Sequence, residues 1–113
     1  MHELSVATAM VEQLEQAACR EGACRVLVVE LALGGLSGVE REPLEFCFPL
    51  AAEGTLLEGA ELRVREVPVE VECPRCGART RPEAPGLTCR NCGESRTRVV
   101  GGREMQVTSM EIE

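Results

Sequence analysis

A chain of 113 residues has room for one small domain, or for one domain with a metal-held lobe, and cannot bury a large core. Phe46 and Phe48 are its only aromatic side chains, so packing rests on Leu, Val, Ala and Met, and no apolar stretch is long enough to cross a membrane. A net charge of −7 with no Trp or Tyr to stack on bases disfavours a nucleic-acid binder, and one histidine with no Asp cannot assemble a nucleophile, a base and an orienting group, so an enzyme is not expected.

The chain opens Met1-His2-Glu3, and His2 is its one histidine. The terminal amine, the deprotonated amide nitrogen of His2 and its imidazole can close two fused chelate rings on one metal, a nitrogen-rich planar array suited to Ni(II) or Cu(II) that Glu3 can complete or support. The alternative is a solvated side chain. From Glu3 to Glu21 the apolar residues Leu4, Ala7, Met10 or Val11, Leu14, and Ala17 or Ala18 recur every three or four positions, which predicts a helix that Gly22 stops.

Cys24 to Leu33 reads as a strand, with Leu27, Val29, Leu31 and Leu33 on one face and Val26, Val28 and Ala32 on the other, so the sheet is covered at least partly on both sides. The cluster Gly34-Gly35-Leu36-Ser37-Gly38 ends it, and without a following Gly-Lys-Ser/Thr it is no phosphate cradle. Glu42 to Glu53 predicts a second helix with Pro43 in its first turn and Leu44, Cys47, Phe48 and Ala51 on one side; Pro49 is expected to kink or shorten it. Glu61 to Val67 alternates as a second strand, and Val69 to Glu72 leads onward.

Next come Cys73-Pro74-Arg75-Cys76-Gly77 and, with twelve residues between Cys76 and Cys89, Cys89-Arg90-Asn91-Cys92-Gly93. Two Cys-x-x-Cys turns suit one tetrahedral metal, and all-sulfur ligation closes the site, which points to structural zinc. The competing readings are two disulfides or four unrelated buried cysteines. The opening residues do not read as a secretory leader, so none is expected, a reducing, cytoplasmic compartment is expected with it, and metal is favoured. Between the knuckles Leu87 is the one sizeable apolar side chain, so metal must offset the ordering entropy of that loop. From Cys73 to Arg98 six arginines face two glutamates, a local +4 that leaves −11 for the remainder. That polarity either orients a protein partner or is a solvated arginine surface.

Thr97 to Val100 and Arg103 to Ile112 flank Gly101-Gly102, a hairpin signal, and the last strand is expected to return to the sheet begun by the first. The domain expectation is therefore an α/β (α+β) body of residues 1–70 and 101–113 with a zinc-ribbon-like lobe, 71–100, inserted between two of its strands. Cys19, Cys24 and Cys47 are expected as small apolar core residues.

The start Met1-His2-Glu3-Leu4-Ser5, the segment Glu53-Gly54-Thr55 followed by Leu57-Glu58-Gly59-Ala60, and the two cysteine knuckles together resemble the HypA/HybF family. These are nickel-delivering accessory factors of nickel-iron hydrogenase maturation, used in some bacteria also for urease. The resemblance covers the whole chain and implies two helices on a three-stranded sheet with a zinc lobe attached. It further implies Ni(II) carried by His2, the Met1 amine and Glu3, and a structural Zn(II) held by Cys73, Cys76, Cys89 and Cys92. The partners it implies are a nickel-handling GTPase and the hydrogenase large subunit precursor; from composition, no nucleic acid and no membrane are expected as partners. Unlike some members, this chain has no histidine beside its cysteine pairs, and Pro49 interrupts its second helix. The rival readings are a rubredoxin-like iron electron carrier and a zinc ribbon that binds protein or nucleic acid.

Overall fold

The computed structural model describes residues 2–82 and 86–113, with His2 described by its backbone alone. The helical spacing of the first twenty residues is realised as α1 (His2–Arg20), which turns Ala7, Met10, Val11 and Ala18 into the core. It closes in a Schellman turn: the Gly22 N–H donates to the Cys19 carbonyl at 3.0 Å and the Ala23 N–H to the Ala18 carbonyl at 3.0 Å. Strand β1 (Val26–Gly34) then places Val26, Val29 and Leu31 in the same core, with Val28 and Ala32 buried as well. Burial on both faces is what its nearly continuous apolar run requires of a middle strand.

β1 is indeed central, in a sheet ordered β2-β1-β6. Against β6 (Met105–Ile112), the Cys24 N–H donates to the Glu113 carbonyl and the Gly34 N–H to the Glu104 carbonyl, each at 2.6 Å, so the two strands run antiparallel. Against β2 (Glu61–Val67), the Val26 N–H donates to the Leu56 carbonyl at 2.8 Å and the Gly35 N–H to the Val67 carbonyl at 3.1 Å, so these two run parallel. Parallel neighbours need a crossover, and α2 (Arg41–Ala52) supplies it, packed beside α1. Leu44, Cys47, Phe48 and Ala52 fill its buried side.

Pro49 does not shorten this helix, which continues through it to Ala52. The proline lies on the exposed face one turn from the helix end, where its missing N–H costs a single bond, that to the carbonyl of Glu45. The chain then turns through Glu53 to Ala60 on its own side chains: the Thr55 hydroxyl donates to the Ala52 carbonyl at 2.7 Å and accepts the Leu57 N–H at 3.0 Å. A carboxylate oxygen of Glu15 accepts the Leu56 N–H at 2.8 Å, and Leu57 is fully buried against both helices' core residues.

A second three-stranded sheet, ordered β4-β3-β5, is formed by β3 (Glu70–Glu72), β4 (Arg79–Thr80) and β5 (Arg98–Gly101), with both outer strands antiparallel to β3. Gly101-Gly102 is therefore not a hairpin turn, because β5 pairs in this sheet and β6 in the first. Gly102 serves a close crossing with Gly34 instead. A Cβ on Gly34 would stand 2.1 Å from the Gly102 carbonyl oxygen, and one on Gly102 would stand 2.7 Å from Cα of Val69.

The chain divides into two compact units, Met1–Ala32, Val39–Arg65 and Gln106–Glu113 in the first, Leu33–Gly38 and Glu66–Met105 in the second. The expected class, two helices with a three-stranded sheet and a cysteine-bearing lobe, is found. Of the three remaining cysteines Cys47 is buried, but Cys19 and Cys24 are exposed. Ala18 takes the inward position at the end of α1 in place of Cys19, and Cys24 lies beyond the turn, outside the core.

Candidate metal centre

In the second unit β3 runs directly into the first cysteine turn. The Cys73 N–H donates to the Ala78 carbonyl at 2.9 Å and the Gly77 N–H to the Cys73 carbonyl at 2.8 Å. The second turn repeats this pattern: the Cys89 N–H donates to the Glu94 carbonyl and the Gly93 N–H to the Cys89 carbonyl, both at 2.9 Å. Gly77 and Gly93 sit at φ of +77° and +80°, where a side chain costs roughly 1–2 kcal/mol, which is why a glycine follows each pair.

These turns aim four sulfurs at one point. Cys73 Sγ lies 3.5 Å from Cys92 Sγ, Cys76 Sγ lies 3.7 Å from Cys89 Sγ, and all four are within 4.8 Å of one another. A tetrahedron with metal–sulfur bonds of about 2.3 Å has edges of about 3.8 Å. A disulfide would need about 2.05 Å, so these are four facing thiols able to hold a metal ion. The first cysteine of each turn, Cys73 and Cys89, is buried, and the second, Cys76 and Cys92, is exposed.

Hydrogen bonds and crowding set the proton affinities. The Asn91 side-chain amide, 3.4 Å from Cys76 Sγ, and then the Ala78 backbone N–H pull the Cys76 thiol down to about 6. The Cys92 backbone N–H lowers Cys89, against opposing desolvation. At Cys92 the Glu94 backbone N–H also pulls downward, but desolvation and the sulfurs of Cys73, Cys76 and Cys89 outweigh it and push the thiol up to about 12. Four sulfurs this close cannot all ionise unless a cation between them compensates, and thiolates select a soft or borderline ion such as zinc.

The small sheet braces the site from below. In register, Glu72 stands opposite both Arg79 on β4 and Arg98 on β5, one residue before Cys73. Arg79 Nε approaches one carboxylate oxygen at 3.2 Å and Arg98 Nη2 the other at 2.6 Å. The Arg79 hydrogen bond, then the charge of Arg98, hold the Glu72 carboxyl below the usual carboxylate range.

Of the N-terminal candidates, Met1 and the side chain of His2 lie outside the described residues. The backbone of His2 is the first residue of α1. Glu3 is half-buried and one of its oxygens accepts the Glu40 N–H at 3.4 Å. Glu40 is the N-cap of α2 and makes no side-chain cap bond, so Glu3 does from a neighbouring helix what the acidic member of a capping box does within one. The sequence carried no signal for that pairing, which joins positions 3 and 40. It carried only a weak one for Asn91, a polar side chain inside a cysteine turn.

The family model that matches the chain, over residues 1–112, is HypA, described as hydrogenase/urease nickel incorporation, metallochaperone. Among similar proteins is a hydrogenase maturation factor HypA of Nitrosospira multiformis, 44% identical over 112 residues that cover 99% of this chain and 97% of that protein. Another, from a Roseiflexus species, is 45% identical over 114 residues, 100% of this chain and 93% of that protein. The solution structure of a HypA protein aligns with a TM-score of 0.72 at 26% identity, covering 100% of this chain and 97% of that one. That of the Ni metallochaperone HypA from Helicobacter pylori aligns at 0.67 and 25% identity, covering 97% and 96%.

Proposed function

Since this chain belongs to the HypA family of nickel-incorporation metallochaperones, we propose that it carries Ni(II) at its N-terminus and hands it on during maturation of nickel-iron hydrogenase, or of urease. The observation that carries this reading is a single match running from the first residue through both cysteine turns. Nickel is cargo here, bound by the Met1 amine, the amide nitrogen and imidazole of His2, and Glu3. Cys73, Cys76, Cys89 and Cys92 hold a structural Zn(II), whose charge lets four crowded thiols ionise together and draws the two turns into one unit. The protein acts by transfer and not by catalysis. It works in the cytoplasm, with a nickel-handling GTPase and the hydrogenase large subunit precursor as its partners.

The helix start supports the nickel reading in physical terms. The first four N–H groups of an α-helix have no acceptor inside it, so the His2 amide can give up its proton without breaking a helical bond. The positive end of the helix dipole favours the anion so formed. Binding that releases a proton is reversed by acid, and ligands at a chain end can be exchanged from the open side.

The test is equilibrium Ni(II) binding to the zinc-loaded protein with its native N-terminus, beside His2→Ala and a form extended by one residue before Met1. The native protein binds one nickel and both altered forms lose it. Equal binding by all three refutes the terminal site. Metal analysis of the four-cysteine site accompanies it, because iron in place of zinc would colour the protein red and favour the electron-carrier reading.

A further inference from the structure

The two cysteine turns share their backbone bonds but differ at the third position, Arg75 in the first and Asn91 in the second. Each of these side chains reaches toward the other turn. Arg75 Nη1 lies 4.0 Å from a carboxylate oxygen of Glu94, and Asn91 Nδ2 lies 3.4 Å from Cys76 Sγ. The contacts are unequal in kind, since one joins two side chains beside the site and the other touches a sulfur. That sulfur belongs to one of the two exposed cysteines, so it stands where water, protons and electrophiles arrive first.

We propose that Asn91 is a positioning residue of the metal centre, its amide pinning the exposed sulfur of the opposite turn and slowing loss of the metal through that side. This rests on the reading of the four cysteines as a zinc site. An N–H donated to a coordinated thiolate draws electron density from it, so the sulfur is a poorer target for a proton or an alkylating agent, and it fixes the direction of the Cβ–Sγ bond. Nothing else needs Asn91's side chain to hold its own turn, whose closing bonds are made by the backbone of Cys89, Gly93 and Glu94. Truncating it therefore removes the cross-turn donor and leaves both turns built.

The experiment uses the full zinc-loaded chain. Zinc release to excess chelator is timed, and the order in which cysteines are alkylated during release is read by mass spectrometry. Asn91→Ala speeds release about tenfold, the low end for loss of a hydrogen bond to a metal ligand, and brings Cys76 forward as the first cysteine modified. Asn91→Asp keeps the shape but offers an acceptor to an anion, so it releases faster than the alanine variant. Arg75→Ala, which cuts the other cross-turn contact without touching sulfur, stays within about twofold of wild type, as an exposed ion pair should. Wild-type rates in both Asn91 variants, an aspartate variant no faster than alanine, or an equal effect of Arg75→Ala overturns the role of Asn91 alone. A wild-type chain that carries no metal at these cysteines overturns the zinc reading and this one with it.

Discussion

Alanine at Gly34 tests the crossing that lets the chain pass from one sheet to the other. Its Cβ would stand 2.1 Å from the Gly102 oxygen, 2.3 Å from the Gly102 carbonyl carbon and 2.7 Å from the Glu104 nitrogen, whereas ordinary contact begins at 3.4 Å. All three atoms are backbone and cannot swing aside, so the strands must part by more than an ångström. Overpacking of this kind costs about 1–3 kcal/mol. The same displacement breaks the bonds from the Gly34 N–H to the Glu104 carbonyl and from the Leu36 N–H to the Gly102 carbonyl, both 2.6 Å, at about 0.5–1.5 kcal/mol each. Gly34→Ala should therefore lose about 4 kcal/mol, a large share of the ~5–15 kcal/mol that such domains possess. Gly35→Ala is the control, because its Cβ meets only a Val69 methyl at 3.1 Å, which can give, and its loss should stay below about 1 kcal/mol. Urea unfolding followed by far-ultraviolet circular dichroism separates the two variants. A Gly34 variant no less stable than the Gly35 variant would show that the crossing is not the tight backbone contact described.

The two phenylalanines should behave in opposite ways in the same unfolding assay: Phe48→Ala, at 1% exposure, loses about 3–5 kcal/mol. Phe46→Ala, at 72% exposure, stays within about 0.5 kcal/mol, and a large loss there would mean that its face is covered. Glu72→Gln should be less stable than wild type at pH 7. Because the folded-state pKa of Glu72 is lowered, its contribution is present above the ordinary carboxylate range and is lost as pH falls through the lowered value, so the difference between the two proteins should shrink on acidification below the ordinary carboxylate range. A gap that stays constant as the pH is lowered through and below the ordinary carboxylate range would remove the charge explanation. Stripping metal with a chelator should raise amide hydrogen exchange across residues 73–94 to that of an open loop while α1, β1 and α2 keep their protection. Loss of protection in the helices would show that their core, which holds none of the four cysteines, depends on the metal after all.

Both helices and β2 could be read from periodicity because each turns one regular face to the core, β1 could be read from a nearly continuous apolar run that is buried on both faces, and the four cysteines could be read because their chemistry depends on local spacing. What escaped the sequence is non-local. Pro49 reads as a helix breaker until one sees that it lies on the solvent side of the last turn. Gly101-Gly102 reads as a hairpin because a glycine needed for a tight turn and a glycine needed for a close crossing look alike. Cys19 and Cys24 look like core residues by type, but the reversal at Gly22 leaves both outside. β4 is two residues long, too short to show a period, and is defined by the pairing of Thr80 with Val71 and of Arg79 with Glu72. The contact of Asn91 with Cys76 joins positions whose neighbourhood arises when the two turns meet.

Because each cysteine turn is closed by its own backbone bonds, the cluster amounts to two two-pronged claws on a twelve-residue tether, residues 77–88. Closing a loop of that length costs about 2 kcal/mol of chain entropy beyond a constant, once, for the pair of claws together. An ion held there that slipped from one claw would still be gripped by the other and would meet the first again at an effective concentration on the order of millimolar. Recapture would then outpace escape, and a micromolar scavenger would compete poorly for such an ion however exposed two of the sulfurs are.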